Sequence, residues 1–274
     1  ANADWNPLTT GAEKEWNAAA CPSPRVCYFT AGIYASGGTG ALRKTEDGGD
    51  TFALLPLPTS DPLEAISCPS ETVCYATGGY GVVLKTLDGG KNWTEVRLGG
   101  KASPPQFKAI AALDDLRVIV AGKDGALYRS EDGGASWGRP SVRSVSDFFA
   151  IHFLDASVGL LAGGDGTLIR TEDGGASWAI QKPVADIGAI VSLRGKGSTL
   201  YAAGEKFIVK STDWGKSWTR QDTGLAQRFR NLFALDEKQI YLASDMGLLR
   251  TTNGGSEWTT DFTPQSGFVR GVVC

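Results

Sequence analysis

The chain has 274 residues, 36 of them glycine, with 27 Lys and Arg against 30 Asp and Glu, a single histidine (His152) and a formal net charge of −3. No Lys/Arg run stands out, which argues against a nucleic-acid footprint, and no apolar run reaches the roughly 18 residues of a membrane-spanning helix. One histidine excludes most His-dependent triads and metal centres, so no metal or cofactor is expected.

The chain opens on Ala1-Asn2-Ala3, a small-residue context without Met that is expected of a processed secretory product. Residues 3–11 align with residues 217–224 and read as an outermost strand. Next come two cysteine frames of identical spacing, Cys21 to Cys27 and Cys68 to Cys74, each beginning Cys-Pro-Ser. They are predicted to be disulfides stapling equivalent loops in an oxidising compartment. A zinc site built from all four cysteines is the weaker alternative, because the pairs fall in different repeats. Cys274 is left over where a third pair would begin, so the natural chain is expected to continue by about one repeat, roughly 40 residues.

The dominant signal is an octet, Ser/Thr-x-Asp/Asn-x-Gly-x-x-Trp/Phe, present in six copies. Its third positions are Asp47, Asp88, Asp132, Asp173, Asp213 and Asn253, at steps of 41, 44, 41, 40 and 40 residues. A fixed period of this size marks a repeat architecture. Within the octet the Asp or Asn accepts backbone hydrogen bonds and closes a turn. Glycines supply the positive φ such a turn needs. The final aromatic (Phe52, Trp93, Trp137, Trp178, Trp218 and Trp258) enters the next strand as a wedge against the adjacent repeat. Six corners spread around an edge cannot converge on one substrate, and one Asp per turn is too few oxygen ligands for calcium. The octets therefore read as architecture.

Each repeat divides into four short strands, as in residues 149–154, 159–163, 167–170 and 178–181. Gly78-Gly79-Tyr80-Gly81, Gly122-Lys123-Asp124-Gly125 and Gly163-Gly164-Asp165-Gly166 read as hairpin turns between second and third strands. The octets resemble the Asp-box, or bacterial neuraminidase repeat, of β-propellers. Residues 151–178 most resemble the photosystem II stability and assembly factor-like family, in inner strand, Gly-x-x-Gly turn and octet. The resemblance implies an all-β propeller of four-stranded antiparallel blades. It does not carry the pathway, since such members also occur in non-photosynthetic bacteria.

The ends bear on the blade count. Residues 269–274 align with the inner strands at residues 63–68 and 16–21, so the two termini are expected to share a closing blade. Seven blades are predicted, with a six-bladed ring plus a stray strand as the alternative. The whole chain reads as one domain, with repeats at 12–56, 57–97, 98–141, 142–182, 183–222 and 223–262, and a closing blade from 1–11 and 263–274.

Function is expected where the repeats differ. At the start of each inner strand a varied residue precedes a small one: Asn17, Glu64, Lys108, Phe149, Gly188, Arg230 and Arg270. These are predicted to line the mouth of the central channel. Arg228, Arg230 and Arg270, with Lys108 and Arg143 further round, suggest a basic mouth for a carboxylate- or phosphate-bearing partner. Trp214 replaces an octet glycine and is expected either to contact a protein or to pack on a neighbouring loop. Glycoside hydrolysis needs two carboxyls roughly 5–10 Å apart, and Asp61, Glu64, Asp147 and Asp186 offer no such pair on adjacent loops. The Arg-Ile-Pro motif of sialidases is also missing. The expectation is a non-catalytic secreted or periplasmic scaffold that binds a protein partner, as an assembly factor or a subunit of a membrane-associated complex. A glycan-binding module or a sialidase-like hydrolase is the alternative.

Overall fold

The computed structural model of the chain describes residues 16–32, 40–142, 146–181, 187–221, 224 and 227–263. Six antiparallel sheets follow one another along the chain, each with its strands in sequence order from the inside out. The inner strands are Trp16–Ala20, Leu63–Ser67, Phe107–Ala112, Phe148–Phe153, Ile190–Lys196 and Phe229–Ala234. The second strands of the second to sixth blades, such as Cys74–Gly78 and Gly159–Gly163, are buried throughout because both faces are covered by neighbouring blades, whereas that of the first blade, Cys27–Ala31, is only partly buried. The outer strands are short and exposed, as in Ala179–Ile180. Glycine-rich corners and short apolar runs thus yield a β-propeller.

The blade count corrects the sequence-based expectation. Among the described residues the propeller has six blades, not seven: each octet-bearing repeat supplies one sheet. The reason is that the corner joining third and fourth strands is the octet, and the chain carries six. The segments assigned to a closing blade, Cys274 included, lie outside the described residues except for Thr263. The third blade departs from the four-stranded plan. It has three strands and a single bridge, Arg129 to Gly138, where an outer strand would begin. In the fourth blade the residue three past the octet tryptophan, Gln181, donates its N–H to Leu168 O at 2.9 Å. The third blade has Pro140 at that position, which has no N–H to give.

The core lies between blades. Ile119, Ala121 and Leu127 of the third blade pack with Phe148, Ile151, Leu161, Ile169 and Trp178 of the fourth. Trp93, Trp137, Trp218 and Trp258 likewise join clusters shared with the preceding blade. Each tryptophan removes on the order of 200 Å² from water, a gross gain of roughly 5 kcal/mol before entropy. Phe52 of the first blade instead meets Phe29 of its own sheet, ring centroids 5.5 Å apart.

A second, polar seam recurs. Lys44, Lys85 and Lys210 on third strands donate to the carbonyls of Gly89, Gly133 and Gly254 in the next blade's octet, at 2.9, 2.8 and 2.7 Å. Each ammonium also lies over a second-strand tyrosine, Tyr28, Tyr75 or Tyr201, 5.3 to 5.7 Å from the ring centroid. Arg129 and Arg170 make the same bond to Gly174 O and Trp214 O.

Candidate partner-binding face

The octets form one face. In the fourth blade Thr171 Oγ1 donates to Asp173 Oδ1 at 2.7 Å, Ser177 N donates to the same oxygen at 2.9 Å, and Ser177 Oγ donates to Oδ2 at 2.6 Å. The Thr171 hydroxyl also accepts from Gly175 N at 2.8 Å, so it braces its own corner. The neighbouring blade is held by the lysine and arginine seam instead. Hydrogen bonds from Ser136 hold the Asp132 carboxyl down at about 2, and those from Asn92 do the same for Asp88. At Asp173 burial opposes the charge, but the Ser177 bonds outweigh it and the value again falls to about 2. Asp213 follows through Ser217, and Asp47 is lowered by Thr51. Asn253 repeats the geometry without charge, accepting from Thr251 Oγ1 and Glu257 N. The Asp or Asn side chain of every corner is thus held within its own octet, although the indole N–H groups of Trp93 and Trp258 are buried without a partner.

The first octet glycines have φ between 68° and 81°, and Trp214, which takes that place in the fifth blade, adopts φ 64°. Its indole is 39% exposed.

The opposite face is built from the starts of the inner strands. In every blade the register slips by one residue there, leaving a β-bulge between Trp16 and Ala18, Leu63 and Ala65, Phe107 and Ala109, Phe148 and Ala150, Ile190 and Ser192, and Phe229 and Asn231. A bulge re-aims one side chain and recurs beside binding sites. The bulged residues are Asn17, Glu64, Lys108, Phe149, Val191 and Arg230, all half-buried. Five of these match the sequence prediction. The fifth blade does not: its bulged residue is Val191, because Ile190 pairs with Gly204 as Leu63 pairs with Gly78. Gly188 lies two residues before that strand and is exposed. The pair Gly188-Ala189 imitates the pattern three residues early. Arg270 and Arg143 lie outside the described residues.

The tight turns between second and third strands complete this face. Tyr80, Asp124 and Asp165 sit at their centres with φ near 54°. Each turn is tied to the residue preceding its inner strand, through Gly79 N to Pro62 O, Lys123 N to Gln106 O and Gly164 N to Asp147 O.

Among the described residues, Lys108, Arg228 and Arg230 of the mouth are ion-paired. Lys108 Nζ is 2.9 Å from Glu64 Oε1 across the second and third blades. Arg230 pairs with Asp245, and Arg228 with Glu205 in the preceding blade's turn. Asn17 donates to Gly32 O and to Leu63 O at 3.0 and 2.8 Å, tying the first blade to the second. Around the described part of the mouth these paired charges stand beside Phe149 and Val191.

The carboxylates weighed for hydrolysis have other work. Asp61 accepts from Arg97 at 2.5 Å, Glu64 from Lys108, and Asp147 from the Asp124 N–H at 2.9 Å; Asp186 lies outside the described residues. Among those residues no three His, Cys, Asp or Glu side chains group to hold a metal ion. Both cysteine frames are disulfides, Cys21–Cys27 and Cys68–Cys74. No described helix is long and apolar enough to cross a membrane. His152, which sequence reasoning gave no role, sits on the fourth inner strand with Nε2 3.1 Å from Gly195 O. Burial, aided by the nearby Arg194 charge, pushes its pKa down to about 4.

Several known proteins resemble this chain. Photosystem II assembly lipoprotein Ycf48 of Synechococcus sp. (strain CC9902) is 33% identical over 99 residues, a match that covers 35% of this chain and spans 29% of that relative's length. A structure of YCF48 bound to D1 peptide superposes with a TM-score of 0.74 at 20% identity, over 94% of this chain and 86% of that one. YCF48 from Cyanidioschyzon merolae gives 0.71 at 16% identity, over 92% and 86%. The GH74 enzyme of Niastella koreensis gives 0.74 at 15% identity, over 90% of this chain and 47% of that one. These structural likenesses show a shared propeller. The sequence goes further, since the family model for photosynthesis system II assembly factor YCF48 matches residues 34–147 and 140–273. The chain belongs to that family.

Proposed function

We propose that this protein is a non-catalytic, extracytoplasmic propeller scaffold that binds a protein partner across its channel-mouth face, serving assembly or upkeep of a membrane-associated complex. The observation that carries this reading is the ring of six inner-strand bulges, which presents six different side chains from one repeated backbone. A scaffold whose repeats agree in the corners and differ at the bulges has its specificity at the bulges. Family membership and a relative bound to a D1 peptide support a protein as the partner. Two disulfides and a lipoprotein relative support an oxidising, extracytoplasmic location. The engagement of Asp61 and Glu64 in ion pairs supports a non-catalytic reading, although propellers of this shape include GH74 hydrolases.

The test is site-specific photocrosslinking in the native envelope. A photoreactive phenylalanine analogue at Phe149 is expected to capture one discrete partner, and the same group at Leu87 on the octet face is not. The double charge reversal Arg228→Glu/Arg230→Glu is expected to abolish the Phe149 adduct. Equal capture from both faces would reject the assignment.

A further inference from the structure

A cavity of about 210 Å³ opens between the second and third blades on the octet side of the rim. Its walls include Tyr75, Val83, Val96 and Trp137, and Lys85, Thr94 and Asp132 supply its polar atoms. For scale, an apolar protein cavity of about 150 Å³ holds a benzene molecule.

The repeats explain why this seam is open. In four octets the second glycine faces the preceding blade, and a side chain of that blade covers it. A Cβ placed on Gly90 would come within 2.9 Å of Leu55 Cδ1, and one on Gly255 within 3.0 Å of Gln221 Oε1. On Gly175 and Gly215 the neighbours are Ile119 and Leu160, at 3.2 and 2.7 Å. On Gly134 the three atoms nearest a Cβ all belong to its own octet's Trp137, the closest at 3.6 Å. Leu55, Val96 and Gln221 each stand three residues past their octet aromatic. Val96 is the shortest of the three and remains 39% exposed.

We infer that this seam is a binding site for a branched aliphatic side chain, leucine-like in size, carried by an extended peptide of a partner protein. The occupant follows from the sister seam, where Leu55 of the chain itself fills the equivalent hole. The polar atoms favour a peptide over a sugar. Asp132 already accepts from Ser130 Oγ, Ser136 N and Ser136 Oγ, which leaves it little capacity for ring hydroxyls. Lys85 gives one of its three donors to Gly133 O and has others for a main-chain carbonyl beside the inserted side chain. The site lies on the octet side, away from the channel mouth, and stands independently of the reading given there.

The experiment follows the indole N–H of Trp137 in ¹H–¹⁵N spectra, assigned with Trp137→Phe, while N-acetyl-leucine methylamide is titrated into the intact protein. N-acetyl-alanine methylamide and methyl glucoside serve as comparison probes. A saturable shift with the leucine probe, at least tenfold weaker with alanine, supports the site. Val96→Leu, which supplies the missing plug, is expected to weaken the leucine response tenfold or more, and Arg230→Glu to leave it unchanged. No saturable leucine response, or a glucoside response as strong, overturns the inference, as does undiminished binding to folded Val96→Leu. Should that variant not fold, the leucine-to-alanine ratio on the natural protein decides alone.

Discussion

Replacing Asp173 with alanine tests whether an octet corner is structural, and the cost can be worked from its bonds. The carboxylate accepts three, from Thr171 Oγ1 at 2.7 Å, Ser177 N at 2.9 Å and Ser177 Oγ at 2.6 Å. A hydrogen bond to a charged group contributes about 1.5–3 kcal/mol when sheltered. This corner is exposed to solvent, so about 1 kcal/mol each, or 2–3 kcal/mol in total, is the discounted figure. In a domain of this size that lowers the melting temperature by about 5–10 °C. Asp173→Asn is expected to cost roughly a third as much, since Asn253 keeps the Oδ1 bonds in the sixth corner. The pH dependence has a defined sign. The Asp173 pKa is about 2, against an ordinary 3.8, so its charge contributes fully above pH 4 and the contribution is lost as pH falls toward 2. Urea unfolding at pH 7 and pH 2.5 is the assay, and the gap between natural protein and Asp173→Ala should narrow at the lower pH. A gap that does not change with pH, or an asparagine variant as damaged as the alanine one, would refute the reasoning.

Other outcomes follow from the same geometry. His152 is the only histidine, so a single imidazole signal reports its titration by NMR, with an expected midpoint near 4. Its folded pKa lies below the ordinary 6.5, so its contribution to stability is complete above pH 6.5 and is lost as pH falls toward 4; His152→Gln should flatten that slope. Each disulfide closes a loop with a sequence separation of 6, for which chain entropy gives about 2 kcal/mol, so Cys21→Ser/Cys27→Ser should shift urea unfolding by that amount. Lys85→Met keeps the stem but leaves the buried Gly133 carbonyl without this donor, an expected loss of about 1–2 kcal/mol in the same assay.

The architecture was legible because it is local and repeated. Each octet carries its own turn chemistry within eight residues, so Asp88 or Asp173 can be read without knowing what lies across the blade. The cysteine frames were legible for the same reason, each pair closing on itself. The blade number was not, because counting inner-strand look-alikes at the termini does not determine which of them meets three partners in a sheet. The residue bulged in the fifth blade, Val191, was not legible because small residues occur both before and after Ile190, and only the pairing of Ile190 with Gly204 separates them. The ion pairs of Arg228 and Arg230 were not legible because their partners arrive from turns 15 to 23 residues away in sequence.

The sequence by itself determined the repeat, the corner chemistry and the aromatic wedges, because each depends on residues close together along the chain. Tertiary structure alone decided how many blades form, which side chain each bulge presents, which charges pair across the mouth, and which seam is left unplugged. Those outcomes depend on contacts between blades, where a difference as small as Val96 against Leu55 decides whether a hole is filled, and no local pattern records what stands on the other side.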